Sequence, residues 1–439
     1  MAHSSISMPT TVVSERPKAI HLTRYGILSF VLILIGFLIF NDQHVLTPGT
    51  TSVFTWGGEL DPITVETIPV ETVMGLFYMA VGILGVLPLG FFVPENILHS
   101  VKRILLIIAA VSLLPTLLVV VAAGSSMNMT VVLQVSFRLA TPIVMGALAG
   151  IWCERAGVTN IAIEGMMLTG ACFGFVAFSM TMNILPTGSA QLLGVLIAIL
   201  SGGIIALLHG WLSITFKTNQ IVSGTVLNIL AVGVTSFLRR EVLLSSDAGR
   251  ATLQPINLPI LSDIPVVGSV LFSGKPIFYS MLILIVVTHI VLFYTRWGLR
   301  TRAVGENPRA ADTLGINVNR TRWINVFIGG LIAGLAGAWF SLETNGSFDD
   351  NMTSGRGFIG LAAVVFGKWL PFGAFGGGLL FGFSDAFGQR LQFLTRGEGI
   401  PAQFLQMVPY IVTIVVLAGL IGRAVAPKAV GIPYEKEGK

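Results

Sequence analysis

Apolar runs close to 20 residues long recur along almost the whole chain, and no other feature of the sequence restricts its fold as severely. A run of that length, coiled as an α-helix rising 1.5 Å per residue, crosses roughly 30 Å of hydrocarbon. The expected class is an all-α polytopic membrane protein. Candidate spans fall at 26–41, 72–92, 104–123, 130–150, 161–181, 191–213, 220–238, 276–294, 323–343, 356–368, 372–392 and 403–422, a bundle of about ten to twelve transmembrane helices. The run at 356–368 is short for a full crossing and reads as a broken or tilted element.

Composition supports this. Of 439 residues, 54% are hydrophobic and 11% charged, against about 25% charged in soluble chains. A water-soluble domain could not hide that much apolar surface. The 50 glycines fit as well, because glycine lets membrane helices approach closely.

Charge sets the orientation. The formal charge of +5 is spread between the apolar runs, so nucleic acid is not an expected partner. With both termini in the cytoplasm, the inner segments collect about eighteen of the 26 Lys and Arg residues, the positive-inside pattern. Among these are Arg16, Lys18, Arg24, Lys102, Arg103, Arg155, Lys217, Lys368 and Arg423. The 42–71 segment carries Asp42, Glu59, Asp61, Glu66 and Glu71 with no Lys or Arg and should face outward. The proline-rich 239–275 segment reads as a connector, or as a docking surface for an external partner. No cleavable leader is apparent, so the first apolar stretch, Gly26–Phe40, reads as retained. Cys153 and Cys172, the only cysteines, read as packing thiols. Polar and glycine-rich signals begin at Arg138, which divides the chain into an extension at 1–125 with about three spans, a core at 126–425 and a cytoplasmic tail at 426–439.

Three segments carry chemistry. The first holds Arg138 and Pro142, then Gly157, Asn160, Glu164 and Gly165. Arg138 and Glu164 lie within or beside apolar runs, where an unpaired charge costs about 2.5 kcal/mol or more, so both should face the interior, and a mutual pair is one expectation. Such a pair either fixes helix register or belongs to a polar pathway, with Gly157, Asn160 and Gly165 breaking the helix. The second segment is the most basic loop, 296–316. Asn307 suits an N-cap, Pro308 the first helical position and Gly315 the residue past the end, which predicts a short helix over 308–314. Ala310, Ala311 and Leu314 give it a small apolar face, with Arg309 and Asp312 elsewhere. A helix this short needs a surface to lie against. Either it rests on lipid headgroups or it is a knob that docks on a cytoplasmic protein, and the small face favours the knob. In the third, Gly330, Gly334 and Gly337 predict tight helix packing, and Lys368, Trp369 and Pro371 predict an interfacial turn with Trp369 as anchor. No phosphate-binding Gly-x4-Gly-Lys-Ser/Thr loop, metal spacing or nucleophile elbow occurs, and His209 and His289 read as interhelical hydrogen-bonders.

These segments resemble the permeases of the ATP-binding-cassette (ABC) import family for branched-chain amino acids, ribose and nucleosides, most of all its bacterial nucleoside and simple-sugar members. The resemblance is carried by Leu139-Ala-Thr-Pro142, by Glu154-Arg-Ala-Gly-Val-Thr-Asn-Ile-Ala-Ile-Glu-Gly-Met-Met167, and by Gly305-Glu-Asn-Pro-Arg-Ala-Ala311 with Gly315-Ile316. Gly355-Arg-Gly-Phe358, Phe366-Gly-Lys-Trp369, Pro409-Tyr410 and Gly431-Ile-Pro-Tyr434 extend it over about residues 130–434. Cys153 and Ala162 depart from the usual Ser and Gly, and the extension exceeds many relatives. The resemblance implies a bacterial inner-membrane importer subunit with no cofactor of its own. ATP and Mg²⁺ would sit on a cytoplasmic ATPase partner. A second permease subunit, often a non-identical homologue, and an extracytoplasmic substrate-binding protein would complete the assembly. It also implies that Gly305, Asn307, Pro308, Arg309, Ala310, Ala311, Leu314, Gly315 and Ile316 form the ATPase-coupling element. The rival class is an ion-coupled secondary carrier using Arg138 and Glu164 as a proton-linked pair, which would not require that element.

Overall fold

A computed structural model describes residues 24–42, 44, 46–58, 60–87, 95–244, 251–394 and 424–436. In chain order the helices are α1 (Arg24–Asp42), α2 (Thr67–Val86), α3 (Glu95–Val121), α4 (Met129–Arg155), α5 (Ile163–Thr181), α6 (Thr187–Gly210), α7 (Gln220–Leu238), α8 (Val267–Leu271), α9 (Pro276–Tyr294), α10 (Arg296–Glu306), α11 (Pro308–Thr313), α12 (Val318–Ala338), α13 (Arg356–Phe366) and α14 (Pro371–Leu394). Helices α6, α7 and α12 each end in a π-helical turn, at Trp211–Thr215, Arg239–Leu243 and Trp339–Asn345.

Among the described residues eight helices are long and apolar enough to cross a membrane: Thr67–Val86, Ser100–Val121, Met129–Arg155, Ile163–Thr181, Thr187–Thr215, Gln220–Leu243, Pro276–Tyr294 and Val318–Asn345. The expectation was about ten to twelve over the whole chain. The apolar part of α1, Leu28–Asp42, and all of α13 are too short. Helix α14 has the length, but its glycines and Asp385 dilute its apolar character. The span expected at 403–422 lies outside the described residues, as do Pro409 and Tyr410.

The chain is also not purely helical. Strand β1 (Thr51–Thr55) pairs antiparallel with β2 (Ile63–Glu66), Thr51 opposite Glu66, and parallel with β3 (Ser126–Asn128), Val53 opposite Ser126. Strands β4 (Ile256–Asn257) and β5 (Ser273–Gly274) form a two-stranded ladder in the proline-rich connector. Connectors between apolar helices still carry backbone donors and acceptors, and local pairing satisfies them.

The described residues divide into two compact units, those within 24–49 and 67–120 in one, and those within 50–66, 121–394 and 424–436 in the other. In the first, α1 meets α2 through Gly36 and Gly75, and the Tyr78 hydroxyl of α2 bonds Thr116 Oγ1 (2.9 Å) and Ser112 Oγ (3.2 Å) of α3. In the second, α12 packs against α4, α5 and α6, while α13 and α14 cover α4. Helix α4 is the hub, with Ile143, Val144, Met145, Ala147, Leu148, Ala149 and Ile151 wholly buried. Small residues set the spacing. A Cβ on Gly330 would strike Ala206, one on Gly334 the Ala198 carbonyl, and one on Gly337 the Met167 carbonyl. Cys153 and Cys172 are free and buried. The described part of the 426–439 tail lies against the second unit, with Tyr434 buried.

Candidate functional site

Helix α4 stops where its sequence provides a glycine. Gly157 takes φ +85°, its N–H donates to Glu154 O (2.9 Å), and the Val158 N–H donates to Cys153 O (3.0 Å). This is a Schellman closure, which needs a left-handed residue just past the helix end. The connector 156–162 is buried almost throughout, so its polar groups need partners. They find them on α6 and α7. The Thr159 N–H donates to Gln220 Oε1 (2.7 Å), and His209 Nε2 bonds the Thr159 carbonyl (3.0 Å). Asn228 serves both sides of the α5 start, donating to Ile161 O (3.0 Å) and accepting from Gly165 N (2.8 Å). Asn160, wholly buried, turns its amide to Cys153 Sγ (3.3 Å) and Met166 Sδ (3.6 Å).

Gly165, an expected helix breaker, does not break the chain, and Pro142 does not either. Pro142 sits inside an uninterrupted α4, and Gly165 lies in the first turn of α5, where it admits Asn228 rather than bending the chain. Gln220 and Asn228 were not singled out in the sequence. Their signal was a polar amide on an otherwise apolar helix.

Glu164 does not pair with Arg138. Its Oε1 accepts from Thr353 Oγ1 (2.6 Å) and Gly355 N (2.8 Å), and its Oε2 accepts from Gly357 N (2.7 Å). The carboxylate therefore caps the start of α13 while lying in the first turn of α5, so two helix N-termini compensate one negative charge. Gly355, at φ +77°, makes the turn that aims these donors. Geometry explains the missing ion pair. Ile163 and Gly357 meet α4 at Gly146, eight positions beyond Arg138 and about 12 Å along the helix. Arg138 is exposed and lies near Lys275 and Glu343. Glu343, also missed in the sequence, caps α9 in the same manner, accepting from Ile277 N (2.6 Å) and Phe278 N (3.3 Å). Burial holds the Lys275 ammonium below its usual range; nearby Glu343 opposes that shift and Arg138 adds to it. Lys275 Nζ donates to Glu343 O (2.6 Å) and Thr252 Oγ1 (3.1 Å).

From Gly146, α13 runs alongside the second half of α4 and delivers the 367–369 turn to its end. Trp369 is 5% exposed there, which corrects its expected role as an interfacial anchor. Its indole N–H donates to the buried Glu154 carboxylate, and its carbonyl accepts from Arg155 Nε (3.1 Å) and Nη2 (2.9 Å). Lys368 stays exposed.

Beyond α9, Thr295 caps α10 by accepting from Gly298 N (3.2 Å), and Asn307 caps α11 by accepting from Ala310 N (3.1 Å). Gly315, at φ +79°, closes α11, and Ile316 N donates to Ala311 O (3.1 Å). The helix begins where its caps predict and ends at Thr313, with Leu314 as C-cap. Its apolar face divides, however. Ala311 is 2% exposed and packs on Val304, Val318 and Tyr434 with Ile316 alongside, whereas Leu314 is 81% exposed. At 100° per residue Ala311 stands 100° from the exposed Ala310, and Leu314, the C-cap past the last helical residue, leaves the face that Ala311 buries. Gly305 seats α10 on α4, since a Cβ there would strike the Arg155 carbonyl. Arg309, Ala310, Thr313 and Leu314 are left exposed.

Residues 132–417 match the family described as branched-chain amino acid transport system / permease component. The chain is 40% identical over 313 residues to the guanosine ABC transporter permease protein NupQ of Bacillus subtilis, covering 70% of this chain and 97% of that protein. It is 39% identical over 299 residues to the nucleoside ABC transporter permease protein NupC of Lactococcus lactis, covering 67% and 94%. To the putative glucose ABC transporter permease protein TsgC13 of Haloferax volcanii it is 34% identical over 327 residues, covering 70% and 97%. No solved structure matches the chain.

Proposed function

Because the chain belongs to the family of branched-chain amino acid transport system permease components, we propose that it forms the translocation path of an ATP-driven importer for nucleosides in a bacterial inner membrane. The observation that carries this is near-complete coverage of the guanosine and nucleoside permeases at about 40% identity. The similarity to TsgC13 supports a second reading, a simple sugar such as ribose or glucose, with the same machinery.

In this reading the chain holds no ATP, and hydrolysis with Mg²⁺ occurs on a cytoplasmic ATPase. That ATPase receives the exposed tip of α11, formed by Arg309, Ala310, Thr313 and Leu314, while Asn307, Pro308 and Gly315 fix the helix ends and Ala311 and Ile316 seat it. Two further partners carry over from the resemblance, a second and non-identical permease and an extracytoplasmic substrate-binding protein. Both termini are cytoplasmic by the positive-inside pattern. An ion-coupled carrier is disfavoured because Arg138 and Glu164 are apart and Glu164 is held by main-chain amides.

Uptake of labelled guanosine, ribose, glucose and leucine, in cells with and without the ATPase, tests the proposal. ATPase-dependent guanosine uptake is expected. Uptake of ribose or glucose alone moves the substrate to the second reading, and uptake independent of the ATPase refutes the importer class.

A further inference from the structure

The motif Gly431-Ile-Pro-Tyr434 lies in a tail that crosses four separate elements of the second unit. Ala429 N donates to Gly305 O (2.8 Å) at the end of α10. Ile432 O accepts from Arg322 Nη1 (3.0 Å) on α12. Gly431 (φ +78°) passes so close to the connector that a Cβ on it would lie 3.3 Å from Thr159 Oγ1. A Cβ on Gly157 of the same connector would lie 3.1 Å from Ala429 O. The Tyr434 ring, 7% exposed, closes the cluster of Val304, Ala311 and Val318 beneath α11.

Two further contacts flank it, Lys217 with Glu435 (3.0 Å) and Lys436 with Asp312 (3.9 Å). Lys217, Glu435 and Lys436 are exposed, so these pairs add little. The hold comes from the ring and from Arg322. That arginine is 1% exposed, and among the described residues its Nε and Nη2 have no hydrogen-bond partner. The bond to Ile432 is its compensation, and a buried cation deprived of such a bond is costly.

We propose that residues 428–436 are a strap that seats α11 against the α4–α5 connector, with Tyr434 as its positioning residue, so that displacement of α11 is passed to the segment leading into Glu164. The role in transport rests on α11 being the ATPase-docking helix; the seating itself does not. Without the strap, the six helical residues would keep only the packing of Ala311 among Val304, Val318, Ala303 and Ile316, and helices that short do not persist without tertiary support.

The test compares Tyr434→Ala, Tyr434→Phe and Leu314→Asp in the full chain co-expressed with its ATPase. Amide hydrogen exchange across 308–316, ATPase co-purification and the unfolding midpoint in detergent are read for each. Tyr434→Ala should raise exchange at 308–316 by about tenfold and lower co-purified ATPase about two- to thirtyfold. Tyr434→Phe, which keeps the ring, should restore both. Unchanged exchange in Tyr434→Ala overturns the strap, as does acceleration spread evenly over the whole chain, which would make Tyr434 a general core residue. Leu314→Asp separates the two levels. With its ATPase lost and its exchange unchanged, it upholds docking at the exposed tip. With its ATPase retained, the docking reading fails while the exchange data still decide the seating. If Tyr434→Ala does not accumulate, Tyr434→Leu carries the same comparison.

Discussion

Replacing Glu164 with Gln keeps the side chain's size and changes only its bonding, so the cost follows from the three contacts. The carboxylate presents two acceptor oxygens to the Thr353 hydroxyl and to the Gly355 and Gly357 amides. A Gln amide has one acceptor oxygen, and its NH₂ must occupy the other position. Placed toward Gly357, the NH₂ meets an N–H that cannot turn. Placed toward Gly355, it meets another, although the Thr353 hydroxyl can rotate to accept. Either orientation orphans one buried backbone donor, at about 1–3 kcal/mol. Losing the charge at the α13 N-terminus adds about 0.3–2 kcal/mol. The expected destabilisation is about 1–5 kcal/mol. Because Cys153 and Cys172 are both free and buried, a thiol-reactive fluorophore reports unfolding of the detergent-solubilised chain directly. Arg138→Gln serves as the comparison and should leave the midpoint in place, with the two changes additive. A Glu164→Gln midpoint equal to the parent's would refute the capping argument. So would an equal loss in Arg138→Gln with nothing further lost in the double variant, since that is the signature of a paired charge.

Trp369→Phe removes the indole donor from the buried Glu154 carboxylate while keeping most of the ring. It should destabilise the chain by about 1–3 kcal/mol and lower uptake, and an unshifted unfolding midpoint would count against the bond. Gly334→Val drives a branched side chain into the Ala198 and Ile199 carbonyls, overpacking that costs about 1–3 kcal/mol or more. Reduced accumulation in membranes is expected, whereas normal accumulation with full uptake would show that α6 and α12 can separate.

What the sequence revealed, and what it hid, follows from how far each signal reaches. The ends of α11 were legible because Asn307, Pro308 and Gly315 act on their immediate neighbours. The orientation of its face was not, because the residue that buries Ala311 is Tyr434, from the far end of the chain. Glu164 was recognisable as a buried charge in need of compensation. Its actual partners could not be read, since main-chain amides belong to no residue type, and Arg138 was the opposite charge that the text of the sequence offered. Trp369 looked like a membrane anchor because tryptophan between apolar runs usually is one. Here the carboxylate at Glu154 reaches it first. The short span at 356–368 points by its length alone to a broken or tilted element, and α13 is an 11-residue helix.

The capping of α13 by Glu164 also has a genetic consequence. An ion pair can be repaired by restoring or swapping the opposite charge, so its suppressors are basic residues. A carboxylate held by the amides of Gly355 and Gly357 offers no such side chain to exchange, and Thr353 alone contributes through its identity. Suppressors of a weak Glu164 substitution should therefore cluster among the residues shaping the turn at 349–357, changing its path and leaving the chain's charge as it was.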